Sequence, residues 1–387
     1  MVGREPIMFV DVYAIQNVPP CNINRDDTGS PKSAFYGGAL RARVSSQAWK
    51  RAMRELFPSL LPEGTFGVRT KHAAILVAER IKELVPEMSD EDVEVYAVAV
   101  LGAADVSVVA SKRAGSEEGA SVTQYLIFIA QPELDGLAHV AAKWYLEGTD
   151  IKKTTKQMKK EVSEVFHGAQ AIDIALFGRM LADAPGLNTD ASAQVAHAIS
   201  VDKISQEYDY FTAIDDCASE DNAGAGMIGS VGFNSSTLYR YATVNADSLS
   251  SQLGNTEAAA EGIRAFVEAF VRSMPTGKQN TFANRTLPGT VIVAVRETQP
   301  INAVSAFENP VRAKEDVSIS RQATERLATQ LERIESAYGE PAIACWGVLT
   351  DSDDDMLAGV AKSVSLPELL NNVYDAVLQG VSSEAKK

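Results

Sequence analysis

Hydrophobic positions alternate between the two periods that separate strands from helices. Residues 7–16, IMFVDVYAIQ, are apolar with alternating size and predict a first strand, which Pro19-Pro20 is expected to stop. Trp49, Ala52, Met53 and Leu56 recur at helical spacing and predict an amphipathic helix capped by Ser45 or Ser46. A second amphipathic helix is expected over 69–85, and a third, capped at Ser89-Asp90, runs into the apolar 93–101. A polar loop at 111–120 precedes a short buried strand at 123–130 and helices at about 134–146 and 150–166. Residues 170–177 (QAIDIALF) and 193–201 read as two strands. From 209 to 241 the chain makes a long excursion. Its middle, 219–232, is rich in Gly, Ser, Ala and acid and reads as a mobile hairpin or loop. A strand resumes at 237–244. Then come a helix at 256–273, a strand at 290–297, a helix at 318–337, a strand at 342–349, an acidic loop at 351–355 and a helix at 366–378.

Strand, helix, strand, strand, helix, strand, with additions, is the order of a ferredoxin-like, RRM-type antiparallel sheet in an α+β chain. The aromatic signature of the usual RRM is missing, so this skeleton alone does not imply RNA binding.

Composition narrows the class. A chain of 387 residues with 45% hydrophobic content holds two or three domain-sized units or one core with large insertions. Cys21, Cys217 and Cys345 are odd in number and far apart, with neither CxxC nor Cys/His spacing, which argues against zinc and against a disulfide framework. The apolar 93–110 region is interrupted by Glu94 and Asp105, and the N-terminus lacks a cleavable signal layout. A reduced, cytoplasmic protein with no membrane partner and no cofactor is expected. The four histidines, His72, His139, His167 and His197, are scattered, and no P-loop, nucleophile elbow or EF-hand spacing occurs.

Charge singles out one stretch. The formal charge of the chain is −15. Between 25 and 54, however, Arg25, Lys32, Arg41, Arg43, Lys50, Arg51 and Arg54 face only Asp26 and Asp27, a net +5. A positive island in an acidic chain suggests a site. Gly37-Gly38 allows positive φ or close backbone approach, and a capped helix start favours an anion. The bland alternative is a solvated helix face beside a flexible loop. Asp26 and Asp27 have two readings as well: an Asx turn, or metal ligands of an RNA endonuclease. A second basic stretch lies at 150–166. At about 100° per residue, Lys152, Lys153, Lys156, Lys159 and Lys160 share one broad face, either solvated or a phosphate-contact surface.

NRDDTGSPKSAFYGG followed by RARVSSQAWKRAMR closely resembles the CasC family, the repeated backbone subunit of the type I-E CRISPR interference complex, Cascade. The resemblance continues in order at 173–180, 195–200, 209–216, 238–245 and 277–283. It implies an RRM-like palm at 1–58 and 170–387, a helical finger-like insertion at 59–169 and a thumb-like excursion at 209–241. It implies guide RNA contacts at Arg25, Lys32, Ser45, Gln47, Lys50, Arg51 and Arg54. Many relatives carry two cations directly after the double Gly, where this chain has Ala39-Leu40, so Arg41 and Arg43 are expected to compensate. Met180 is expected against the kinked guide, with Phe211, Thr212 and Ile228 near a displaced base. The five lysines are expected at the DNA target. The implied partners are crRNA, target DNA through the guide, copies of the same chain and other Cascade subunits. The implied protein is not an enzyme. The competing expectations are the Asp26/Asp27 endonuclease and a structural oligomer that binds an acidic protein partner.

Overall fold

The computed structural model describes residues 7–110, 121–168, 170–213, 227–350 and 354–384. The expected loop at 111–120 and parts of the expected loops at 219–232 and 351–355 lie outside the described residues. In chain order, β1 (Phe9–Cys21), β2 (Ser33–Tyr36) and β3 (Ala39–Val44) precede α1 (Ser46–Leu56). Then follow β4 (Gly67–Thr70), α2 (Ala73–Leu84), α3 (Asp90–Ala103), β5 (Val108–Ala110), β6 (Ser121–Thr123), β7 (Ile127–Ala130), α4 (Gln131–Leu146), α5 (Lys156–Phe166) and α6 (Ile172–Phe177). Short β8 (Ala193–Val195) and β9 (Ala198–Ser200) lead to β10 (Glu207–Ala213) and β11 (Met227–Asn245). The chain continues through α7 (Ala246–Leu253), α8 (Thr256–Arg272), α9 (Gln279–Phe282), β12 (Thr290–Arg296), α10 (Ile319–Tyr338), β13 (Ala344–Leu349), β14 (Lys362–Ser363) and α11 (Leu366–Glu384). Among the described residues no helix is long and apolar enough to cross a membrane.

Two compact units divide the chain. Unit 1 comprises Met1–Leu56, Gln194–Asn245 and Ile263–Ser383; unit 2 comprises Phe57–Ala193, Ala246–Gly262 and Glu384–Lys387. Residues 170–193 and 246–262 thus cluster with 59–169 in unit 2.

Unit 1 is built on one large sheet of order β14-β13-β12-β1-β11-β9-β3-β2, with β10 paired to β11. β1 lies between β11 and β12, antiparallel to both; Tyr13 is opposite Tyr241 on one side and Ile292 on the other. Both faces of these central strands are buried. Tyr13, Tyr239, Tyr241 and Ile292 pack with Leu327 and Leu331 of α10. The alternate residue Arg240 meets Trp49 of α1 and Phe270 of α8. Asp11, fully buried, accepts from Arg296 Nε at 3.0 Å and from the Ile301 N–H at 2.9 Å, which satisfies a charge that would otherwise be costly to bury. In unit 2, α2, α3, α4 and α5 enclose a core that includes Val77, Leu101, Leu137, Trp144, Val162 and Phe166.

Three sequence expectations need correction. β1 runs through Pro19-Pro20 to Cys21, because the register shifts between Val18 and Cys21 and the bulge removes the need for the missing N–H donors. QAIDIALF holds the helix α6 and no strand. All six residues of α6 are buried, so no polar face marks its period, and Asp173 Oδ1 accepts from the Gly67 N–H at 2.8 Å. The helix expected from 150 begins at Lys156, where the Thr155 hydroxyl accepts from the Met158 N–H at 3.2 Å. Lys152 and Lys153 thus precede the helix.

Candidate nucleic-acid interface

The start of α1 organises the basic island. The Ser45 carbonyl accepts from the N–H groups of Ala48 (3.0 Å) and Trp49 (3.3 Å), and its hydroxyl lies 3.4 Å from the Ala48 nitrogen, so Ser45 is the cap. The Ser45 N–H donates to Asn24 Oδ1 at 2.9 Å, which ties the cap to the segment 22–32. That segment is closed on itself. The Lys32 N–H donates to the Asn24 carbonyl at 2.8 Å, and Asn22 Nδ2 donates to the carbonyls of Gly29 (3.0 Å) and Gly232 (2.8 Å). Asp26 Oδ1 accepts from the Thr28 hydroxyl (2.7 Å), the Thr28 N–H (2.9 Å) and the Ser30 N–H (3.0 Å). The Thr28 hydroxyl leads the hydrogen bonds that hold this carboxyl below the usual range. These contacts are those of an Asx turn. Among the described residues, no three His, Cys, Asp or Glu side chains are grouped to hold a metal ion.

On this frame sits an open groove of about 480 Å³, contained in unit 1. Gln47, Arg51 and Glu55 of α1 line it with Arg25, Lys32 and Ser45, and so do residues 275–278. Arg51 Nε is paired with Glu55 Oε1 at 2.8 Å, both largely exposed. Such a pair is weak and is easily exchanged for a phosphate. The groove thus brings together five of the expected contacts: Arg25, Lys32, Ser45, Gln47 and Arg51. Lys50 and Arg54 are half-buried and lie off its lining.

Arg41 is a correction. It is fully buried, and its guanidinium donates to the carbonyls of Ser200 (2.8 Å), Phe307 (2.9 Å) and Glu308 (3.2 Å). The segment 307–308 and Ser200 cover it, so it braces the β2–β3 hairpin. Gly37 and Gly38, with φ of 57° and 72°, make the tight turn of that hairpin, and a Cβ at Gly37 would collide with the Glu308 carbonyl. Arg43, two residues on and on the same face of β3, is only partly buried. Its Nη1 donates to His197 Nδ1 at 3.1 Å, which requires the neutral ring with its proton on Nε2. Burial first, then Arg43 and Lys32, lowers the pKa of His197. In the sequence His197 is one of four scattered histidines; the structure puts it against two cations of the island.

β10 and β11 form a two-stranded ribbon in which Thr212 is opposite Ile228 and Phe211 is opposite Gly229. Directly paired residues share a face. Thr212 and Ile228 therefore stand with the exposed Tyr208 and Tyr210, whereas the Phe211 ring covers Gly229 on the other face. The expected trio is split between two faces. In unit 2, Met180 is 84% exposed at the rim of a cavity lined also by Arg69, Leu126, Phe128 and Asn188. The preceding Arg179 is buried, with Nη1 on both oxygens of Glu133 at 2.7 and 2.8 Å. Lys152, Lys153, Lys156, Lys159 and Lys160 are exposed. Lys159 is paired with Asp105 at 2.6 Å and Lys160 with Glu164 at 3.8 Å.

The residues that sequence reading missed are His197, Asn24 and the segment 275–278. Residues 277–283 share the family resemblance, but nothing in their local pattern places them beside residue 25.

An α+β chain with a basic groove beside a large, antiparallel-dominated sheet defines a candidate nucleic-acid-binding protein. Residues 10–372 match the Cas family described as "CT1975-like protein", and the chain belongs to that family. Two solved structures are similar over nearly the whole chain. One is described as "CRISPR RNA-guided surveillance complex, pre-nicking", with a TM-score of 0.81 and 33% identity, covering 95% of this chain and 100% of that one. Another, a "CRISPR RNA-guided surveillance complex", has a TM-score of 0.71 and 28% identity, covering 95% and 99%. No curated protein matches the sequence.

Proposed function

We propose that this chain is the repeated backbone subunit of a type I-E CRISPR interference complex and grips guide RNA without regard to sequence. The carrying observation is the unit 1 groove, where Arg25, Lys32 and Arg51 converge with Gln47 and the capped start of α1. Its donors suit phosphate and sugar, which carry no sequence information, so specificity is left to base pairing with the DNA target. The likeness over 95% of the chain to a chain of an RNA-guided surveillance complex supports the same reading. The order β1, α1, β9, β11, α8, β12, with β12-β1-β11-β9 as neighbours, supports a ferredoxin-like palm. In this reading copies stack along one guide, the β10–β11 ribbon acts as the thumb, and the lysines at 152–160 meet the target DNA in the company of other Cascade subunits in the cytoplasm. The chain itself is then not an enzyme.

The test is a salt titration of single-stranded RNA binding by purified, nucleic-acid-free protein, with magnesium present and the RNA checked for cleavage. Expected are sequence-indifferent binding, a steep salt dependence and intact RNA. Metal-dependent fragments that disappear in Asp27→Ala would instead establish the endonuclease. Binding of an acidic protein partner but of no RNA, alone or with companion subunits, would leave the structural oligomer.

A further inference from the structure

The segment 275–278 belongs to no expected contact, yet it forms part of the groove wall. Its geometry is unusual for what it carries. Lys278 has φ of 51° and ψ of 24°, the left-handed region, where a lysine gains nothing from its side chain and a glycine would be unstrained. Gly277 immediately before it is pressed against the segment 22–23, and a Cβ there would collide with the Ile23 carbonyl. The turn is fastened on the other side as well. The N–H groups of Thr281 and Phe282 both donate to the Lys278 carbonyl at 3.1 Å, and Asn284 Nδ2 donates to the Gly277 carbonyl at 3.4 Å. A strained backbone with a long cation on it, held at the edge of a groove, points to a functional role for the cation.

The surrounding charges define the ligand. Arg25, Lys32 and Arg51 share the lining with Lys278, and the acid of that lining, Glu55, is already paired with Arg51. We propose that Lys278 is a further phosphate-contacting residue of the groove and that residues 275–278 are a built wall of the binding site. Gly277 lets the wall approach the 22–32 segment, and the left-handed turn directs the lysine. The ligand class is the phosphodiester backbone of single-stranded RNA, so this inference rests on the function proposed above.

The experiment measures binding of a fluorescein-labelled, mixed-sequence single-stranded RNA to the full chain across a salt series. It compares wild type, Lys278→Gly, Lys278→Arg and Arg51→Ala, with melting temperatures taken in parallel. Lys278→Gly removes the charge and relieves the backbone. Its melting temperature is expected to stay level or rise, while affinity falls several-fold at low salt and the log–log salt slope flattens by about 0.7. Lys278→Arg is expected to keep the slope. A purely structural lysine would leave affinity and slope at wild-type values in Lys278→Gly. That result, with Arg51→Ala still weakening binding, would overturn the role of Lys278 and leave the groove standing. If wild type does not bind RNA, or if Arg51→Ala also binds as wild type, the groove reading itself fails.

Discussion

The guanidinium carbon of Arg240, on the central strand β11, lies 3.6 Å from the ring centroid of Trp49 on α1. Phe270 of α8 lies 4.3 Å from the same carbon. Arg240 is 1% exposed and donates to Gln16 Oε1 at 2.6 Å and to the Phe270 carbonyl. Burial pulls its pKa down to about 9, still above neutrality. A buried cation thus clamps the sheet to the helix that carries Gln47 and Arg51. Arg240→Met keeps the volume but leaves two buried acceptors without a donor. It is expected to lower the unfolding free energy by about 1–3 kcal/mol in denaturant titrations. A variant as stable as wild type would show that the cost of burying the charge outweighs its contacts.

Arg41 braces, where the sequence suggested that it binds. Arg41→Met strips the donor from three carbonyls at the β2–β3 hairpin. The expected loss is about 2–3 kcal/mol of stability, with an unchanged salt slope of RNA binding measured well below the melting temperature. A flattened slope would return Arg41 to the interface.

His197 is expected to make the site sensitive to pH. The groups facing it are Arg43 on β3 and Lys32 at the entrance to β2, both cationic, and they act with burial to lower its pKa from 6.5. The folded chain therefore resists a proton that the unfolded chain accepts, so its stabilising contribution is present above about pH 6.5 and is lost as pH falls. A bound phosphate reverses the local field and raises the pKa again. RNA affinity is expected to rise as pH falls from 7.5 to 5.5, and His197→Ala should abolish that rise in binding isotherms. A pH-independent wild type would separate His197 from the bound RNA.

The ribbon and Met180 separate contact from packing. Met180→Ala and Ile228→Ser change side chains that are 84% and 63% exposed. Each should alter stability by less than about 0.5 kcal/mol. Phe211→Ala uncovers Gly229 and should speed amide hydrogen exchange along 227–231. If Ile228→Ser also accelerated exchange there, its face of the ribbon would be packed and not open.

Much of the fold was legible because its causes are local. The stripe Trp49, Ala52, Met53 is buried as spaced. The Ser89 hydroxyl accepts from the Asp92 N–H at 3.1 Å as the cap reading required. The antiparallel strands near 9, 239 and 292 follow from β-branched and aromatic runs. Where every residue of an element is buried, as in α6, the period carries no signal.

The sequence by itself determined that an acidic chain holds a cationic stretch at 25–54, and that this stretch begins in a turn and ends on an amphipathic helix. Charge and periodicity are properties of the order of residues, so they survive without coordinates. Only the tertiary structure decided which cations work together. Packing against Ser200 and residues 307–308 buried Arg41 and left Arg43, on the same face of β3, only partly covered, and the ribbon register put Ile228 opposite Thr212 and Gly229 opposite Phe211. The approach of Gly277 to Ile23 delivered Lys278 to a groove whose other wall lies more than two hundred residues earlier. Side-chain direction and long-range approach are set by pairing and packing across the chain, and no local pattern encodes them.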